Sequence, residues 1–269
     1  MGHTKTALFR YYQTKGHILS GTLIKVIALV LMVMDHLHQI FHTHGVPAWF
    51  NWFGRPVATL FIFLCAEGFY YTQSRKRYML QLLLGFLLMS GIGMGLSHFM
   101  PLESVVLMNN MFGTLFMSTF YMLMVDLLRT SITAKKTRRT LLVLGGMILP
   151  WIIGLGLLVI ISENFLSWPL AMILLFIPNP IIVEGGFVLV FMGVLFYILR
   201  KFRLAQMGVV LLISVFSALT TKNAQWLMAS AIVPMWLYNG QRGRGGKYFF
   251  YIFYPAHLYI FYSIAWLIQ

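Results

Sequence analysis

Nine long apolar runs constrain the fold of this chain more than any other feature of its sequence. They cover residues 22–42, 55–74, 78–97, 109–129, 139–161, 182–200, 205–220, 223–239 and 247–268. A helix that crosses a bilayer needs about 20 mostly apolar residues, and the mean hydropathy of the chain is +0.81. The sequence therefore predicts an all-α fold, a polytopic membrane bundle of about nine transmembrane helices. A shorter apolar piece over residues 170–177 precedes Pro178 and predicts one re-entrant or interfacial segment.

Basic residues concentrate in alternate loops, and this alternation predicts how the chain is oriented. Most of the 20 Lys and Arg fall in the segments Lys5–Lys15, Arg75–Arg77, Arg129–Arg139, Arg200–Arg203 and Arg242–Lys247. Since cytoplasmic loops are rich in Lys and Arg, residues 1–21 are expected to form a cytoplasmic N-terminal segment. Residues 22–269 are expected to form one transmembrane domain whose C-terminus lies outside. The formal charge of +14 then needs no nucleic acid as a partner.

Ionisable residues inside the first apolar run are the strongest functional candidates, because charges are costly in lipid. Lys25 and His36 are eleven residues apart, which places them within about 20° of the same helix face and about 16 Å apart along the axis. Asp35 precedes His36, but neighbouring helix positions point about 100° apart. A carboxylate that orients His36 is therefore expected from another helix, and Glu67 is the candidate.

Three ionisable side chains fall near the predicted midplane of the membrane: His36, Glu67 and His257. Such groups need a protein-lined or watery cavity. Glu184 and Asn110 lie at the outer ends of their runs and approach the same level. This pattern is typical of a transporter, a proton relay or an enzyme with a membrane-embedded site, and polar packing between helices remains the alternative for each histidine.

Metal binding is not expected from the histidines of the first run. His38 and His42 have the i, i+4 spacing that can chelate Zn²⁺ on one helix face, but no HExxH motif and no cysteine ligand accompanies them. Cys65 is the only cysteine, which excludes an internal disulfide.

Several blocks of sequence carry a family resemblance. They are Lys25–Leu29, Asp35–His36, Gly54–Pro56, Ala66–Phe69, Asn110–Leu115, Glu184–Gly186, Leu237–Gly243 and Lys247–His257. In these blocks and in their order the chain resembles the TraX family of membrane proteins, over roughly residues 20–268. The family is similar in turn to the wider transmembrane acyltransferases, whose first helix carries a basic residue and a histidine. Lys25 and His36 match that pair, with Lys where the wider group usually has Arg.

The resemblance implies an acyl-CoA-dependent membrane enzyme. It is expected to be a multi-pass protein of the cell membrane, the plasma membrane of a bacterium. Acetyl-CoA from the cytoplasm would be the co-substrate, and the acceptor at or across the bilayer is expected to be the N-terminal amine of a peptide or pilin. Three alternatives stay open: O- or N-acyl transfer to a cell-surface glycan, a proton-coupled transporter or flippase, and a non-catalytic pilus assembly factor. The sequence also leaves a homo-oligomer open.

The expected roles of the residues follow from this reading. His36 acts as general base or transient acyl carrier, with Glu67, His257 and Asp35 as the other catalytic candidates. The basic candidates for the CoA phosphates are Lys25, Arg75, Lys76, Arg242 and Lys247. The candidates for orienting the acceptor are Arg55, Asn110, Glu184 and Tyr254.

Overall fold

The computed structural model of the chain describes residues 18–102, 105, 107, 110–162, 174–221 and 223–269, leaving aside the side chain of Lys247. Its α-helices are α1 Gly21–Phe41, α2 Phe50–Tyr71, α3 Arg75–Phe99, α4 Met111–Thr133, α5 Thr137–Ser162, α6 Gly186–Ile198, α7 Arg203–Thr220, α8 Ile232–Trp236 and α9 Lys247–Ile268. Two 3₁₀ helices, His42–His44 and Ala224–Ala231, complete the regular structure of these residues. The prediction of an all-helical, polytopic fold is confirmed.

Seven helices in the described part of the chain are long and apolar enough to cross a membrane: α1 to α5, α7 and α9. Two of the nine predicted spans are wrong in length. The run 182–200 contains only the 13-residue α6, because Gly185 and Gly186, with φ of 69° and 57°, hold a turn before it. Left-handed backbone of this kind interrupts a right-handed helix.

The run 223–239 is the second correction. It forms the 3₁₀ helix Ala224–Ala231 followed by the five-residue α8. Pro234 lies inside α8, and its missing N–H removes the bond that a continuous α-helix would make there. Residues 170–173 of the predicted re-entrant piece over 170–177 lie outside the described residues, so this prediction is not tested.

The chain divides into two compact units. The first comprises Met1–Leu64, Gly95–Val106 and Ile198–Gln269. Its interior contains Ile24, Ala28, Leu60, Phe63 and Tyr262, each with an exposed fraction of 0%. The Tyr262 hydroxyl of α9 donates to the Met100 carbonyl at 2.9 Å, which ties α9 to the segment after α3.

One loop of the first unit caps the start of α1. The backbone N–H groups of Gly21 and Thr22 donate to the carbonyls of Gln241 and Arg242 at 2.8 and 2.9 Å, and an isolated parallel bridge joins Leu19 to Tyr238. The first N–H groups of a helix have no acceptors within the helix. The carbonyl groups of this loop are the acceptors for two of them in α1. As a result, α1 and the basic segment before α9 begin at the same end of the unit, as the predicted orientation requires.

The second unit comprises Cys65–Met94 and Leu107–Tyr197. Its core is a cluster of Met117, Tyr121, Val183, Val190 and Val194 from α4, α6 and the turn before α6. Polar groups join the same elements, since the Ser118 hydroxyl donates to the Val190 carbonyl at 3.3 Å.

Candidate functional site

Two imidazoles meet between α1 and α9 in the first unit. Nδ1 of His36 lies 2.8 Å from Nε2 of His257, and the ring planes are 11° apart with centroids separated by 4.9 Å. This geometry is that of two nearly coplanar rings joined edge to edge by an N–H···N bond. His257 is buried, with an exposed fraction of 7%, and His36 is half-buried.

The second hydrogen bond of His257 fixes which nitrogens carry protons. Nδ1 of His257 lies 2.7 Å from the Phe253 carbonyl oxygen, and a carbonyl can only accept. Nδ1 of a neutral His257 is therefore protonated, and its Nε2 is the acceptor. His36 must then donate from its own Nδ1, which leaves the lone pair of His36 on Nε2. Among the residues that the structure describes, Nε2 of His36 has no hydrogen-bond partner.

The local structure of α9 explains how His257 is held. Phe253 precedes it by one helical turn, and its ring lies 5.0 Å from the His257 ring at an interplanar angle of 22°. Pro255 lies inside the helix and removes one backbone N–H from this turn. Tyr254 borders both imidazoles, with ring centroids 6.2 Å from His36 and 6.2 Å from His257. The ring of His257 is thus held by contacts within its own helix as well as by His36.

Lys25 lies on the same seam between α1 and α9, toward the loop that caps α1. Its Nζ is 5.3 Å from the centroid of the Phe250 ring, a cation–π distance. The predicted common face of Lys25 and His36 is confirmed, because both side chains contact α9. Arg242 is exposed on the capping loop, and Lys247 begins α9.

Asp35 faces α2 and not α9. Its Oδ2 accepts a hydrogen bond from Gln39 at 2.7 Å, whereas Oδ1 is buried and has no hydrogen-bond partner among the described residues. The carboxylate fills the space beside Gly54, where any Cβ would overlap it. Asp35 therefore does not orient His36, in agreement with the angle between neighbouring helix positions.

Arg55 is held by a residue that the sequence did not single out. Its Nη1 donates to Oε1 of Gln225 at 3.1 Å, and its Nε is buried without a hydrogen-bond partner among the described residues. Gln225 follows Asn223, whose side chain accepts from the Gln225 N–H at 3.1 Å. A neutral glutamine in an apolar run gave no signal of this contact.

Arg75 and Lys76, two of the predicted phosphate-binding residues, lie in the second unit. Arg75 donates to Oδ2 of Asp126 at 2.7 Å and to the Tyr197 hydroxyl at 3.1 Å, and the Phe69 ring covers its guanidinium at 4.9 Å. Lys76 is exposed. Arg75 is thus engaged within the unit, and its binding to CoA stays a prediction.

Glu67, Asn110 and Glu184 also belong to the second unit, so the predicted pairing of Glu67 with His36 stays a prediction. Glu67 is buried at 9% exposure. The Asn110 amide donates to the Phe86 carbonyl at 3.3 Å and to Ser90 at 3.1 Å. The Glu184 carbonyl accepts from the Thr114 hydroxyl at 2.6 Å, which fixes the turn before α6.

Potential metal ligands do not cluster in the described part of the chain, where no three His, Cys, Asp or Glu side chains are grouped to hold an ion. His38 is instead tied locally, with Nδ1 donating to the Val46 carbonyl at 3.0 Å.

The fold and the paired imidazoles define a multi-pass helical membrane protein with a polar seam between two of its helices. The family described as TraX protein matches residues 20–265, nearly the whole chain. The chain belongs to the TraX family, which is linked to pilin modification. Comparisons with curated proteins and with solved structures gave no match.

Proposed function

We propose that this protein is an integral membrane acetyltransferase that uses acetyl-CoA, and that His36 is its general base. The observation that carries the proposal is the hydrogen-bond chain from His36 through His257 to the Phe253 carbonyl. It supports a neutral His36 whose Nε2 lone pair is free to take a proton. The acceptor we favour is the N-terminal amine of a peptide or pilin presented at the membrane, in keeping with the family's link to pilin modification.

The reaction balances with His36 as the only proton carrier. The neutral amine attacks the thioester carbonyl, and Nε2 of His36 removes a proton from the attacking nitrogen. The C–S bond then breaks, and the imidazolium returns the proton to the departing sulfur, which gives the N-acetyl product and CoA. His257 accepts from Nδ1–H of His36, which stabilises the imidazolium between the two transfers. A positioned base of this kind contributes about 10² to 10⁴ in rate.

We infer that the pantetheine arm of CoA lies along the seam between α1 and α9. The capping loop carries exposed Arg242 at one end of the seam, and Lys25 follows it on α1. His36 lies about 16 Å beyond Lys25 along the helix axis. This distance is on the scale of a pantetheine arm, so phosphates held by the basic residues would place the thioester near Nε2 of His36.

The decisive experiment uses the purified protein in nanodiscs with acetyl-CoA and a short peptide, followed by mass spectrometry of peptide and CoA. The same peptide with a blocked N-terminus and a glycan hydroxyl acceptor run in parallel. His36→Gln is the test variant, and His38→Gln is its matched control because His38 is also half-buried on α1 but bonds to Val46.

We expect acetylation of the free amine, loss of at least about 10²-fold in rate with His36→Gln, and near-normal turnover with His38→Gln. Acetylation of the glycan alone would support acetyl transfer by this protein but would show that the acceptor is a glycan and not a peptide amine. If the folded wild type and the folded His38→Gln variant neither bind nor consume acetyl-CoA, the proposal is overturned. That result would favour proton-coupled transport or an assembly role.

A further inference from the structure

An apolar groove of about 430 Å³ runs between α4 and α5 in the second unit. Phe120, Met124 and Leu127 of α4 line one side of it. Along α5 its lining begins at Arg139 and ends at Ile153. These two residues are fourteen positions apart, a rise of about 21 Å. Since one leaflet of hydrocarbon is about 15 Å thick, the groove is long enough for the acyl chain of a lipid.

Gly146 and Pro150 of α5 leave space at the bottom of the groove. Gly146 lies in the lining, and a Cβ there would meet only Sδ of Met124 at 3.7 Å. Pro150 lies one turn later in the same lining, and its missing N–H leaves the Gly146 carbonyl without its usual helical donor. Among the described residues, only 11% of the apolar window of α5 is buried, which leaves most of this helix for contact with lipid.

The polar end of the groove is cationic. Arg139 is its one charged lining residue. It lies beside Arg138 in the first turn of α5, and the connection before α5 carries Lys135 and Lys136. No Asp or Glu occurs between residues 127 and 162. Backbone bonds hold the turn, with the N–H of Lys136 donating to the Ser131 carbonyl at 3.0 Å. These bonds fix the backbone that carries the cations at this end of the groove.

We propose that this groove is a binding site for an anionic glycerophospholipid, whose phosphate lies against Arg139 and whose acyl chain lies over Gly146 and Pro150. The cationic end of the groove matches an anionic head group, and its apolar length matches one acyl chain. A zwitterionic lipid has no net negative charge to complement Arg139 and is expected to bind more weakly. The site rests on residues that the acetyl-transfer proposal does not use, so either can fail alone.

Adjacent residues supply matched controls for both halves of the site. Arg139→Gln removes the lining cation, whereas Arg138→Gln removes the same charge one position away and outside the lining. Gly146→Leu fills the channel, whereas Gly145→Leu adds the same side chain where nothing lies within 4 Å. Native mass spectrometry of the delipidated full chain measures binding of phosphatidylglycerol and of phosphatidylcholine with identical acyl chains.

We expect one tightly held phosphatidylglycerol, at least about fivefold weaker binding in Arg139→Gln, and less than twofold change in Arg138→Gln. Gly146→Leu is expected to lose the bound lipid, and Gly145→Leu to keep it. Equal effects of the two arginine variants, or equal affinity for the two lipids, would overturn the proposal. The arginine pair decides the matter even if Gly146→Leu does not fold, because both arginines are exposed.

Discussion

The carboxylate of Asp35 occupies the space in which a side chain at position 54 would stand. Glycine at 54 thus lets α1 and α2 approach around a carboxylate whose Oδ1 is buried and has no hydrogen-bond partner among the described residues. His36, the next residue, contacts α9. Two neighbouring positions of α1 therefore bind two different helices, and the close approach at Gly54 helps to set the rotation of α1 that presents His36 to His257.

Gly54→Ala is expected to destabilise the protein by about 1–3 kcal/mol, the range for overpacking a close contact. Its thermal unfolding midpoint in detergent should fall, while that of Gly145→Ala should not, because nothing lies within 4 Å of a Cβ at 145. Adding Asp35→Ala to Gly54→Ala should return part of the loss, since the two groups compete for one space. Equal midpoints for Gly54→Ala and the wild type would contradict this packing.

Both imidazoles of the pair are expected to carry their protons on Nδ1. Solid-state ¹⁵N NMR of the protein in lipid distinguishes protonated from bare ring nitrogens, with His36→Gln and His257→Gln assigning the signals. An Nε2–H signal from either ring would contradict the chain that ends at the Phe253 carbonyl.

His257 is expected to act on the reaction through His36. His257→Phe keeps an aromatic ring but removes the acceptor for Nδ1–H of His36, so turnover should fall by about 10²-fold or more, as when a base loses its position. His257→Gln can still accept through Oε1 and should retain more activity than His257→Phe. The reverse order, with both variants folded, would assign His257 a packing role only.

The capping loop is expected to matter for cofactor binding through its backbone. Gly243 has a φ of 79°, and a Cβ on it would lie 2.5 Å from Oγ of Ser20. Gly243→Ala should strain the loop by about 1–2 kcal/mol and weaken acetyl-CoA binding in calorimetry. Gly245→Ala is the matched control, because nothing lies within 4 Å of its Cβ; similar losses in both would point away from the loop geometry.

The Arg75–Asp126 pair is expected to stabilise the second unit. Tyr197 donates to the same Oδ2 of Asp126 at 2.6 Å. Asp126→Asn should reduce stability by about 1.5–3 kcal/mol, the range for hydrogen bonds to a charged group, and Tyr197→Phe by about 1 kcal/mol. Thermal unfolding of both variants measures this. An unchanged unfolding midpoint for Asp126→Asn would contradict a stabilising role of the pair. It would favour the predicted contact of Arg75 with CoA instead.

The sequence predicts what depends on local physics. Hydropathy located the helices that are long enough to span, and helix geometry placed Lys25 and His36 on one face. Hydropathy failed at 182–200 and 223–239, because an apolar run does not distinguish one long α-helix from a turn with left-handed glycines or from a 3₁₀ helix followed by a short α-helix that contains Pro234. The contact of His36 with His257 joins residues 221 positions apart, and that pairing depends on how helices pack, which a single sequence does not encode locally.

The pairing of α1 with α9 has a consequence for biosynthesis. The ribosome makes His36 early and His257 only after 221 more positions, and the loop that caps α1 comes equally late. A nascent chain therefore holds its first helix without its partner α9 and without its capping loop until the C-terminal part of the chain has been made. If His36 is the base that we propose, fragments that end before α9 lack its partner His257 and are expected to show no acetyl transfer.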